Sequence, residues 1–190
     1  TGQVDEDALA DGNNDDADGD DPGTTVASGA AGSLLALFNI GADQPGTIVL
    51  LTDTSSLEAQ GLQSNGQDLN YVVVEGVIYA YTGDGDLDGD GIPTTGLVFT
   101  LEVNEDGSWE FTLLDQLDHE SAGTEDNILI DFSGMIGAED ADGDPVEGSL
   151  SDGAFVIDVD DDLPVPAEEP DPVTGQVDED ALADGNNDDA

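Results

Sequence analysis

Carboxylates are the side chains whose number and spacing could do chemistry in this sequence, and four groupings stand out. The first is Asp5, Glu6 and Asp7, and the second holds Asp16, Asp18 and Asp20 within the run 15–21. A third is the loop DGDLDGDG, which places Asp84, Asp86, Asp88 and Asp90 at alternate positions. The fourth pairs Glu139, Asp140, Asp142 and Asp144 with Asp158, Asp160, Asp161 and Asp162. Asp alternating with Gly lets a loop curl and turn successive carboxylates inward. Calcium suits such a loop, because it accepts six to eight oxygens at about 2.3–2.6 Å in irregular geometry. The middle loop fits in two registers, but their twelfth positions are Thr95 and Leu97 rather than the bidentate Glu that closes an EF-hand. It therefore reads as an isolated calcium loop. A single loop also cannot build the tandem nonapeptide roll of RTX proteins.

Other chemistry has thin support. His119 is the only histidine and lies in a polar stretch, so it reads as an incidental residue of an exposed turn, although Ser121 is near in sequence. Paired carboxylates could serve a glycosidase, but here they are abundant enough for any spacing to occur. Aromatic residues make up only 5% of the chain, too few for an evident sugar platform, and Trp109 and Phe111 read as core. The expectation is a protein that is not an enzyme.

The charge balance points the same way. The 190 residues include 47 Asp and Glu, no Lys or Arg, and no Cys, for a formal charge of −47. No carboxylate can pair with an ammonium or guanidinium from its own chain. Charges of one sign at this density oppose compaction unless cations from solvent neutralise them. Nucleic acid and anionic membrane surfaces are repelled, so neither is an expected partner. Disulfides and thiolate metal sites are excluded, and no apolar stretch approaches the roughly 20 residues of a membrane span.

The elements that must hold these carboxylates are short β-like runs. They cover 34–40, 47–52, 69–75, 77–82, 97–103, 108–114, 127–133 and 154–160, and Trp109, Phe111 and Leu113 alternate with Glu110 and Thr112 as a half-buried strand would. Asp106-Gly107 and Glu75-Gly76 supply hairpin turns. Only Leu114 to Ala122 looks briefly helical, and residues 1–33 show little periodicity. The fold class expected is all-β: an Ig-like antiparallel β-sandwich of about eight strands with calcium-binding loops and at most one short helix.

Residues Thr1 to Ala17 return letter for letter as Thr174 to Ala190, an offset of 173 residues. The chain therefore reads as one unit of a tandem array plus the opening of the next. An acidic junction segment covers 1–23, the sandwich 24–162, a Pro-rich stiff linker 163–173, and the start of a second unit 174–190. Asp178, Glu179 and Asp180 copy Asp5 to Asp7, and they are expected to complete a calcium site with Asp158 to Asp162 across the junction. If strands alternate in direction throughout, Glu139 to Asp144 lie at the end holding Asp5 to Asp7, and Asp84 to Asp90 lie at the opposite end with Asp160 to Asp162.

Two resemblances extend this reading. The stretch Asp158-Val-Asp160-Asp161-Asp162-Leu-Pro164 is similar to the cadherin linker pattern DxNDNxP with Asp for both Asn, and Asp140-Ala141-Asp142 resembles the cadherin DAD motif. In cadherins such residues bind calcium between successive domains. More widely, Val4 to Leu9, Asp106 to Phe111 and Gly137 to Asp144 resemble motifs of the extender repeats of giant RTX adhesins exported by type I secretion. That resemblance implies a bacterial cell-surface location and calcium-dependent folding. It also implies a spacer role, holding a distal adhesive region away from the cell in attachment or biofilm formation. The implied partners are calcium ions and neighbouring copies of the repeat, with lateral self-association left open. Two other readings stay open: a module that itself binds a glycan or protein, and a secreted enzyme domain.

Overall fold

The computed structural model describes residues 1–13, 23–119, 126–164 and 174–175. Twelve strands account for most of its regular structure. One layer is a five-stranded antiparallel sheet in the order β2 (Val26–Gly29), β9 (Trp109–Leu113), β8 (Leu97–Val103), β7 (Val77–Tyr81), β6 (Asn70–Val74). The other is split between the sheet β1 (Gly2–Asp5), β12 (Val156–Asp160), β10 (Ile128–Asp131) and the pair β3 (Thr47–Leu50) with β11 (Ile136–Glu139). A small hairpin joins β4 (Gln63–Ser64) to β5 (Gln67–Asp68). The fold is an all-β sandwich. Among the described residues no helix is long and apolar enough to cross a membrane.

Alternation along the strands sets the core. In β9, Trp109, Phe111 and Leu113 are buried while Glu110 is exposed, and β8 buries Phe99, Leu101 and Val103. Phe132, just after β10, and Phe155, just before β12, answer from the second layer. Phe132 lies 6.0 Å from Phe99 and 6.1 Å from Phe111, and Phe155 lies 5.0 Å from Trp109. Each such side chain withdrawn from water contributes about 1.5–3 kcal/mol.

Both predicted hairpin turns form. Glu75 and Gly76 have φ of 50° and 84°, and Gly107 has φ of 80°. The apolar run 34–40 is not a strand. Its backbone is anchored on the β8–β9 turn, with Gly32 N–H donating to Asp106 O and Leu34 N–H to Gly107 O, and it curls into a 3-10 turn at Leu35–Leu37. Nor is Leu114 to His119 helical. Leu114 and Asp115 both donate backbone N–H groups to Val98 O, which keeps the segment extended against β8; residues 120–122 lie outside the described residues. Among the described residues the only α-helical turn is α1 (Ser55–Glu58). Strands within residues 1–33 were not foreseen, because Val4 and Ala27 are the only buried apolar residues of β1 and β2.

Strand direction decides which loops meet. Here β1 runs parallel to β12, with Asp5 opposite Asp160. Both strands therefore finish at the same end of the sandwich, the end from which the chain leaves. Asp5 N–H donates to Thr24 O, so β2 starts there, β9 returns to it, and the loop between β7 and β8 opens there. The far end holds the β8–β9 turn and the loop after β11, tied together by Ile48 N–H to Glu105 O and by Ala141 N–H to Asp43 O.

Candidate metal centre

The expected arrangement of the ends is corrected by β1. Because β1 is parallel to β12, Asp5 to Asp7 sit at the exit end with Asp160 to Asp162, and away from Glu139 to Asp144 at the far end. Asp84 to Asp90 share the exit end with Asp160, since β7 finishes there. Asp16, Asp18, Asp20, Asp178, Glu179 and Asp180, and with them the expected cross-junction site, lie outside the described residues.

The exit end is built by residues 6–13, which fold over the strand ends. Asp5 caps the 3-10 turn Glu6–Ala8, its carboxylate accepting from Asp7 N–H at 2.7 Å. Asp5, Glu6, Asp7 and Asp160 are all buried, at no more than 3% exposure. Charged groups are seldom buried without a counter-charge, and this chain has no Lys or Arg to provide one. On the same strand as Asp160, Asp158 Oδ1 is buried without a hydrogen-bond partner. Asn13 Nδ2 donates to Asp162 Oδ1 at 2.6 Å and also contacts Leu163 O, so the opening segment holds the departing chain.

His119 is not the exposed residue its polar neighbours suggest. Its side chain is 4% exposed, with Nε2 3.5 Å from Glu6 Oε1 and 4.0 Å from Asp161 Oδ1, and Nδ1 3.9 Å from Asp126 Oδ1. Glu6 Oε1 is fixed by Leu117 N–H at 2.7 Å. Burial disfavours the imidazolium, but the carboxylates of Glu6, Asp161 and Asp126 outweigh it and raise the His119 pKa above its ordinary value. Burial likewise raises the carboxyls of Glu6 and Asp161, more than His119 lowers them. The signal that sequence reading missed is Leu117: an apolar residue inside a polar run, 3% exposed, which draws the segment inward.

At the far end, one loop gathers its acids. Donor atoms of Asp140, Asp142 and Asp144 lie within 4.8 Å of one another. Asp140 Oδ1 accepts from the backbone N–H of Asp144 at 2.9 Å and of Asp142 at 3.3 Å, and these bonds, the Asp144 one foremost, lower its pKa. Glu139 lies at the end of β11, opposite Thr47.

The loop Asp84 to Asp90 does not form such a group among the described residues. Asp88 Oδ1 instead accepts from its own loop, from Ile92 N–H and Asp90 N–H at 2.9 Å each, while Asp86 O accepts from Thr94 Oγ1 at 2.6 Å.

Compared with known protein families, curated proteins and solved structures, the chain matches none.

Proposed function

We propose that this chain is a calcium-rigidified spacer repeat of a bacterial cell-surface adhesin, one unit of a tandem array that holds a distal adhesive region away from the cell. The observation that carries this reading is the closure of the repeat's opening onto its end: Asp5 to Asp7, buried beside Asp160 where the chain departs. Calcium bound by Asp5, Asp7 and Asp160, with Asp162 at the rim, supplies the positive charge the sequence lacks. It also joins β1, β12 and the exit into one stiff unit. The second acidic loop, Asp140 to Asp144, offers oxygen donors of the same class at the other end. Extracellular modules bind calcium at about 10⁻⁴–10⁻³ M, so millimolar external calcium fills such sites while the cytosol leaves them empty. Binding to the folded form alone then raises its stability by mass action.

The test is thermal unfolding with calcium and with EDTA, joined to X-ray scattering on two fused repeats. Calcium should raise the melting temperature and give an extended particle, and EDTA should lower the one and shorten the other. A melting temperature indifferent to EDTA, or identical scattering profiles, would sink the proposal.

A further inference from the structure

We propose that Glu6, His119 and Asp161 form a second kind of site, which binds a borderline transition-metal dication of the zinc class. It is distinct in its donors from the all-oxygen calcium sites, and it does not rest on the calcium reading. The argument begins with the imidazole. His119 is the only histidine, Cys is absent, and the single methionine, Met135, is fully buried in the core. One side chain therefore carries the chain's available borderline donor, and the fold withdraws it from solvent into a ring of carboxylates.

A buried imidazole ordinarily satisfies its ring nitrogens with hydrogen bonds. Here neither nitrogen has one, although the side chain is 4% exposed. The nearest acceptors stand off at 3.5, 3.9 and 4.0 Å. Those gaps are long for a hydrogen bond. The 3.5 and 4.0 Å gaps from Nε2 to Glu6 and Asp161 approach the spacing of two donors on one tetrahedral ion, which is about 3.4 Å when each bond is about 2.0–2.2 Å. The donor atoms of Glu6, His119 and Asp161 all lie within 4.8 Å of one another.

The surroundings match what such an ion requires. Leu117 N–H orients the Glu6 carboxylate at 2.7 Å. Asp126 faces Nδ1, on the side opposite the proposed bond, and its nearby Oδ1 is buried without a hydrogen-bond partner. A carboxylate in that position, once the 3.9 Å gap closes, accepts a hydrogen bond from the Nδ1–H of a metal-bound imidazole and fixes its tautomer. A cleft of about 810 Å³ borders Glu6, Leu117, His119, Asp161 and Pro164, giving an entry path and room for water in the fourth position. Charge balances as well: two carboxylates, one neutral imidazole and one dication sum to zero. Calcium suits this set less well, because it takes oxygen donors, whereas imidazole suits zinc, copper and nickel. A bound ion would join the segment after β1, the segment after β9 and the start of the departing chain.

The test uses the full chain in calcium-saturated buffer, with zinc ion as the probe. Because there is one histidine, its ring protons report the site directly by NMR, while calorimetry gives affinity and stoichiometry. The expected result is a single tight event that shifts the His119 signals, with affinity reduced in both His119→Gln and Asp161→Asn by more than the roughly 10–100-fold that loss of an outer-shell partner costs. Zinc that leaves the His119 signals unmoved, or that binds His119→Gln as tightly as the parent, overturns the proposal and reduces zinc binding to general carboxylate attraction. The ring signals of the parent decide the matter if a variant fails to fold. A calcium titration of His119→Gln reads the spacer proposal separately, since its calcium-induced rise in melting temperature should persist.

Discussion

Asp131 shows how a chain without basic residues uses carboxylates structurally. Its Oδ1 accepts from Ser133 N–H at 2.9 Å and its Oδ2 from Gly153 N–H at 2.8 Å, while its own backbone N–H and C=O are both bonded to the Gln60 amide. Burial works to raise its pKa, but the Ser133 and Gly153 bonds outweigh it and lower the pKa. A group depressed in the folded state adds stability that is complete above the unfolded value, about 3.9, and fades as pH falls through the lower folded one. Asp131→Asn should therefore cost about 1 kcal/mol at neutral pH, allowing for partial exposure, with the gap from the parent closing below about pH 4. Urea unfolding of both proteins across pH checks this, and a gap independent of pH would contradict it. At this scale the sequence was partly legible. It showed which acids are clustered, but not that Asp88 and Asp131 satisfy their own loops, because that depends on backbone N–H groups that any residue carries.

Strands with strong alternation could be read directly: β8 matches its predicted bounds, and β6, β7 and β9 fall within theirs. Of those that could not be read, β4 and β5 have two residues each, and β1 (GQVD), β2 (VASG) and β11 (IGAE) are four residues long and contain Gly; pairing gives them a structure their propensity does not. The cost of missing β1 was the reversal of one acidic cluster from end to end. The two layers are joined most directly by Phe132, which is fully buried and lies within 6.1 Å of the Phe99, Phe111 and Phe155 ring centres. Its backbone N–H also donates to Phe155 O at 2.8 Å, so the segments after β10 and before β12 are tied through both backbone and ring. Phe132→Ala should destabilise the calcium-loaded protein by about 3–5 kcal/mol. Phe132→Leu should cost distinctly less. Guanidinium unfolding resolves the two, and equal losses would show that aliphatic volume without the ring recovers nothing.

Across the whole molecule, 47 carboxylates and no Lys or Arg make cations part of the folding equilibrium, and two mechanisms of cation action give different signatures. Diffuse screening depends on ionic strength alone, the Debye length shrinking from about 30 Å at 0.01 M to about 3 Å at 1 M. Site binding depends on ion identity, because buried carboxylates such as Asp5, Asp7 and Asp160 select a dication that tolerates irregular oxygen geometry. In EDTA, sodium chloride should raise the melting temperature gradually by relieving repulsion between the exposed acids. Without EDTA, calcium chloride at matched ionic strength should raise it further and saturate in the millimolar range, while magnesium, which sheds its water reluctantly and demands octahedral geometry, should fall between the two. Calorimetric melts over the three salts separate the mechanisms. Coincident curves at equal ionic strength would make the acidity a matter of screening, and the buried carboxylates at the exit end would then need a source of compensation other than a bound ion.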